Sequence, residues 1–65
     1  MPVWLVILLL GEVIQVLGPV PGGMLECLRL ADDRTQIAGI TEAPIEDVTL
    51  DCVRGVRPPR VGSRR

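Results

Sequence analysis

The chain of 65 residues is long enough for one small domain. A domain of this size buries only about 60% of the surface that its unfolded chain exposes, so a stable fold needs a cross-link or a binding partner. Its net charge is −1, and its apolar residues are almost all aliphatic, because Trp4 is the only aromatic residue. The sequence contains no His, which excludes Ser-His and Cys-His catalytic pairs, and its two Cys are too few for the four Cys or His ligands of the usual zinc sites. We therefore predict a protein that is not an enzyme and binds no cofactor.

Charged residues divide the chain into three parts. Residues 1–25 carry a single ionisable side chain, Glu12, whereas residues 26–51 contain seven acids and two arginines, and residues 52–65 contain five arginines and no acid. The acids between Asp32 and Asp51 do not follow the spacing of a calcium loop, and we interpret them as a solvated acidic face. The chain is thus apolar, then acidic, then basic.

The N-terminal segment, residues 1–18, is the most apolar part of the chain. VWLVILLL at 3–10 is an unbroken apolar run, and the run resumes as VIQVL after Gly11 and Glu12. Residues 2–18 reach the lower end of the roughly 17–25 residues that a transmembrane helix needs, although a charged Glu12 inside the bilayer would cost about 2.5–3.5 kcal/mol. We therefore predict an N-terminal hydrophobic helix that is signal-like or acts as a membrane anchor.

The central part of the chain is predicted to be a Pro/Gly linker at 19–23 and a small polar, β-rich domain at 24–53. Its first stretch, MLECLRLADDR, is compatible with a helix or a strand over residues 24–33, because its periodicity does not decide between them. TQIAGIT, which follows, favours a strand at 35–40. VTLDCVR alternates apolar and polar residues, which predicts a strand at 48–53 with Val48, Leu50 and Cys52 facing inward.

Two cysteines, Cys27 and Cys52, lie 25 positions apart. If the chain is exported, we expect them to form a disulfide, and closing a loop of this length would stabilise the fold by about 3–3.5 kcal/mol. If the chain is cytosolic, we expect buried thiols that pack as small apolar side chains. A redox-active pair is not expected, because the sequence has no Cys-x-x-Cys motif.

The stretch from residue 11 to residue 53 resembles small OB-type β-barrels. GEVIQVLGPV at 11–20 is similar to the first strand and turn of the N-terminal β-barrel of the rotary ATP synthase β subunit. An Asp-Asp turn at 32–33 and four strand-like segments follow one another along the chain in an order similar to that of small-subunit ribosomal proteins and bacterial-type initiation factors. The four segments are 13–17, 25–30, 35–40 and 48–53. This resemblance implies an all-β small barrel and a soluble, cytoplasmic binding module associated with the ribosome or RNA.

Residues 54–65, RGVRPPRVGSRR, are predicted to be a disordered, Arg-rich tail, because they lack a pattern that a core could bury and their Pro-Pro pair favours an extended polyproline conformation. An anionic partner such as RNA or lipid headgroups would be contacted by the arginines of this tail. These candidate contacts are Arg54, Arg57, Arg60, Arg64 and Arg65.

Taken together, the segments predict a small α+β fold with an N-terminal hydrophobic helix, a short β-rich segment and a disordered basic tail, and an all-β small barrel is the alternative. The function that we expect is that of a small non-enzymatic protein, membrane-associated or secreted, with the ribosome- or RNA-binding module as the alternative. A reading frame without selected function is a third interpretation, because Gly, Pro, Arg and Ala, whose codons begin with G and C, supply 23 of the 65 residues.

Overall fold

The computed structural model of the protein describes residues 1–33 and 44–64. Within these residues, three strands form an antiparallel sheet in the order β2-β1-β3, and one helix packs against it. The elements are β1 (Val3–Leu9), β2 (Glu12–Leu17), α1 (Gly23–Asp32) and β3 (Val48–Arg54), and a 3-10 turn at Ile45–Asp47 leads into β3. A small α+β fold is therefore confirmed, and the predicted strand at 35–40 lies outside the described residues.

The apolar run at the N-terminus forms the central strand of the sheet. Leu5 of β1 pairs with Leu17 of β2 on one side and with Cys52 of β3 on the other. A strand covered on both faces reads as a continuous apolar run, and every side chain from Leu5 to Leu8 is buried. The predicted hydrophobic helix at 1–18 is wrong for this reason, and no helix within the described residues is long and apolar enough to cross a bilayer.

A two-residue turn, Leu10-Gly11, joins β1 to β2. Leu9 and Glu12 are the last pair of the hairpin, and both turn residues have positive φ angles, 52° for Leu10 and 87° for Gly11. Positive φ at both central positions is the signature of a type I′ turn, which matches the twist of the two strands. Leu10 adopts this left-handed conformation despite its Cβ, and its side chain is 76% exposed.

Helix α1 covers the first face of the sheet. Its inward side chains are spaced by three and four residues, as a helix requires, and include Met24, Cys27 and Ala31. They pack against Leu5 and the other odd-numbered residues of β1 and against the inward residues of β3. On the solvent side of α1, Arg29 donates a 3.1 Å hydrogen bond to the carboxylate of Glu26 one turn earlier. The undecided stretch at 24–33 is thus a helix, and the strand that the barrel resemblance implied at 25–30 is wrong.

The second face of the sheet carries a separate apolar cluster. Val6, Leu8 and Val13 are buried in it, and Val16 and Val53 pack against them. The predicted strand at 48–53 is confirmed as β3, whose residues Val48, Leu50 and Cys52 face the first cluster as the alternation predicted.

The C-terminal segment continues from β3 to the opposite edge of the sheet. It leaves β3 at Arg54, beside Val3, and residues 62–64 bond to the free edge of β2. Since β3 and β2 are the two outer strands of the described sheet, this segment spans the full width of the sheet. The prediction of a disordered tail is therefore wrong for residues 54–64, which are held by backbone hydrogen bonds at both ends, and Arg65 lies outside the described residues.

Candidate functional site

A disulfide between Cys27 and Cys52 fixes α1 to the sheet. Cys27 lies at the middle of the helix and is fully buried, whereas Cys52 is a half-buried residue of β3, and their Cα atoms are 6.1 Å apart. This separation is within the range that disulfides span without backbone movement. The Sγ atom of Cys27 also lies 3.8 Å from the carbonyl oxygen of Trp4, so the bond sits against the central strand.

The backbone next to the disulfide is held by a side chain. The N–H of Cys52 donates a 2.9 Å hydrogen bond to Oδ1 of Asp51. Opposite Asp51, in the register of β1 and β3, lies Val6 of the second face, whereas Cys52 lies opposite Leu5 of the first face. The Asp51 carboxylate therefore satisfies a polar group of an outer strand at the point where the helix is linked to it.

Gly55 anchors the first end of the arginine segment, which we define as residues 54–64. The N–H of Gly55 donates to the carbonyl of Pro2 at 3.0 Å, and the indole Nε1 of Trp4 donates to the carbonyl of Gly55 at 2.9 Å. Trp4 is half-buried, and a buried indole N–H usually finds a partner of this kind. The lone aromatic residue of the chain thus ties the central strand to the segment that follows β3.

Val13 of β2 anchors the other end of the arginine segment. Its N–H donates to the carbonyl of Ser63 at 2.8 Å, and its carbonyl accepts the N–H of Gly62 at 2.6 Å. Arg64 continues this pairing as an antiparallel bridge to Glu12. A turn precedes the contact, because the hydroxyl of Ser63 donates to the carbonyl of Arg60 at 2.7 Å. Residues 62–64 therefore cover part of an edge that would otherwise present unpaired backbone groups.

Exposed arginines and valines are interspersed along the arginine segment. The described arginine side chains of the segment are all exposed: Arg54, Arg57, Arg60 and Arg64. Between them, Val56 is 76% exposed and Val61 is 65% exposed. Within the described residues, the ion pair that the structure forms lies elsewhere, on α1 between Arg29 and Glu26. The segment therefore presents positive charge and aliphatic surface side by side.

The structure joins some of the residues that the sequence singled out and leaves others apart. It brings Cys27 and Cys52 together, and it places four of the five candidate arginines on one anchored segment. Within residues 1–33 and 44–64, no three acidic or sulfur side chains are grouped as metal ligands would be. Sequence reasoning missed the role of Trp4, and its signal was that a single Trp in an apolar run needs a partner for its N–H.

Comparison with known proteins finds no relative of this chain. The chain matches no protein-family model, no curated protein and no solved structure.

Proposed function

We propose that this chain is a small non-enzymatic protein of an oxidising compartment outside the cytosol, either secreted or associated with a membrane. The observation that carries the proposal is the disulfide between Cys27 and Cys52, which crosses the core from α1 to β3. Disulfides persist in oxidising compartments and are rare where glutathione and thioredoxin keep thiols reduced.

The composition of the core gives the disulfide a structural purpose. The buried residues are small and aliphatic, mainly Val, Leu and Ile, and no large aromatic side chain is among them within the described residues. Small domains with limited cores depend on cross-links to offset the entropy of the unfolded chain. Placing the bond between the helix and an outer strand stabilises the contact between two elements that the sheet itself does not connect.

The non-enzymatic part of the proposal is supported by the side chains that the chain has to offer. The sequence has no His, and its two cysteines are bonded to each other. Asp32 at the end of α1 and Glu46 and Asp47 in the turn before β3 are exposed, and Glu26 of α1 is paired with Arg29. Carboxylates exposed to bulk water lack the positioned arrangement that acid–base catalysis requires.

A second candidate function is binding to the ribosome or to RNA through the arginine segment. The observation that favours it is the exposure of Arg54, Arg57, Arg60 and Arg64 on one segment. Phosphate contacts by arginine are strong and fall steeply with salt. Cofractionation with ribosomes at low salt, lost at high salt, would favour this candidate over the first.

The disulfide in living cells tests the proposed compartment. Cells are quenched with acid and the proteins are denatured, the free thiols of the tagged chain are blocked with a small alkylating reagent, and the chain is then reduced and labelled with a maleimide of high mass. If the compartment is oxidising, both cysteines resist the first reagent and the chain gains two labels after reduction. The variant with Cys27→Ala and Cys52→Ala is the matched control, because it gains no label under any condition. A chain that is fully alkylated before reduction and recovered with cytosolic proteins would overturn the proposal.

A further inference from the structure

We infer that the arginine segment, residues 54–64, is a docking surface for an anionic phospholipid bilayer. The inference rests on the proposed function, because it gives the membrane alternative a definite partner and a definite surface. It assigns the contact to a peripheral patch of the folded domain, not to a membrane-spanning helix.

The arginine segment is a preorganised surface. Its ends are fixed by hydrogen bonds of Gly55 to Pro2 and Trp4, and of Gly62 and Ser63 to Val13 of β2. Between these anchors, Pro58 and Pro59 restrict the backbone to extended conformations, in which residues three apart project from the same side. Arg57 and Arg60 flank the two prolines at this spacing. Docking therefore orders little additional backbone, and less of the binding energy is lost to conformational entropy.

The charge of the arginine segment complements an anionic surface. The segment carries four exposed guanidinium groups within eleven residues. Glu12 is an acid close to this segment, because it forms a β-bridge with Arg64. The acids of α1 belong to the helix that packs on the first face of the sheet, in a cluster that includes no described residue of the arginine segment. Asp51 of β3 lies opposite Val6 of the second face. The headgroups of anionic lipids concentrate negative charge at the bilayer surface. Each arginine near an anionic leaflet strengthens binding about fivefold.

The exposed valines distinguish a lipid partner from a nucleic acid. Val56 and Val61 are largely exposed and lie next to Arg57 and Arg60, so that aliphatic groups can enter the interfacial region while the guanidinium groups stay with the phosphates. Single-stranded nucleic acids are bound through aromatic side chains on which bases stack. Trp4, the one aromatic residue, is half-buried and its N–H is bonded to Gly55.

Sedimentation with vesicles tests this surface on the purified, oxidised full chain. We expect binding to vesicles of phosphatidylcholine mixed with phosphatidylglycerol, little binding to phosphatidylcholine alone, and a steep loss of binding as salt is raised. Arg57→Gln is expected to weaken binding about fivefold, and Arg57→Gln with Arg60→Gln about 25-fold. Both side chains are exposed and unpaired among the described residues, so that the fold is retained, as far-ultraviolet circular dichroism can verify.

Matched variants separate this surface from charge in general. Arg29→Gln removes the same charge from the solvent side of α1, and Leu28→Ser removes an exposed aliphatic side chain there, as Val61→Ser does on the arginine segment. The inference predicts that the two helix variants bind vesicles as the parent does, whereas Val61→Ser binds more weakly at every salt concentration. Equal losses for Arg29→Gln and Arg57→Gln would overturn it.

Three further outcomes identify the partner and separate the docking surface from the proposed compartment. Tight binding to poly(U) RNA combined with no preference for anionic vesicles would replace the lipid with a nucleic acid and overturn the inference. A chain that is reduced in cells but shows the expected pattern with vesicles would overturn the compartment and support the surface. A chain that is oxidised in cells but ignores anionic vesicles would do the reverse.

Discussion

Reduction of the Cys27–Cys52 bond is expected to remove a large part of the stability of this domain. The bond closes a loop of 25 positions, and the loss of that constraint on the unfolded chain lowers the free energy of unfolding by about 3.5 kcal/mol. For a domain of this length the change corresponds to a fall in melting temperature of about 15–25 °C. Reduction is the cleanest perturbation, because the fully buried Cys27 keeps its sulfur and the packing of the core is disturbed least.

The assay is thermal and urea unfolding of the oxidised chain with and without a phosphine reductant, followed by circular dichroism. Alkylation under denaturing conditions verifies that both thiols are free in the reduced sample. The variant with Cys27→Ala and Cys52→Ala is the control for the reductant itself, since its transitions must be the same in both buffers. If the reduced chain with two free thiols unfolds at the same temperature as the oxidised chain, the bond does not stabilise the contact between α1 and β3, and the reasoning is wrong.

Three other predictions concern the sheet and its edges. Leu10→Asn is expected to raise the free energy of unfolding in urea by about 1 kcal/mol, because Asn suits the left-handed first position of a type I′ turn and Leu10 is exposed. Val6→Asp and Ile7→Asp are each expected to abolish the folded circular dichroism spectrum, since these neighbours lie fully buried on opposite faces of the sheet. A chain ending at Arg60 is expected to lose the hydrogen-exchange protection of the Val13 amide, because this amide donates to Ser63.

Each of these predictions has a matched comparison. Leu10→Ala removes the exposed Leu side chain but lacks the polar group through which Asn favours positive φ, so a gain equal to that of Leu10→Asn would argue against strain in the turn. Leu10→Asp places the charge of the core variants at an exposed site and should fold; a folded Val6→Asp would show that the second face is open to water. The Val6 amide should stay protected in the shortened chain, and continued protection of Val13 there would contradict the edge contact.

The central strand shows where a single sequence falls short. A transmembrane helix and a strand buried on both faces are both apolar in every direction, so the composition of 3–10 does not separate them. The deciding contacts lie far away in the chain, since Val3 pairs with Arg54 and Leu9 with Val48. Glu12 was the local clue, because an acid fits the exposed start of β2 better than the middle of a membrane helix.

Other elements could be predicted from the sequence where one face is exposed to water and the other is buried, because this difference leaves a periodic pattern of polar and apolar residues. The alternation in β3 gave both its position and its inward residues, because Thr49 is exposed while Val48 is buried. The stretch at 24–33 became a helix through packing of residues spaced by three and four, a preference that its own propensities did not settle. The order of the arginine segment depends on bonds to Pro2, Trp4 and Val13, which no pattern within residues 54–65 could reveal.

The central position of β1 has a consequence for how the chain is made. β1 is synthesised before its partner β3, and the residues that hold Trp4 and Val13 follow these two residues by some fifty positions, as the bond from Trp4 to Gly55 shows. Until then the hairpin of β1 and β2 presents an apolar edge with unpaired backbone groups, the kind of surface on which nascent chains aggregate. Folding is therefore expected to be completed only after β3 and the arginine segment have left the ribosome. Release of a shortened chain without these segments would leave the apolar edge of the β1–β2 hairpin exposed and prone to aggregation.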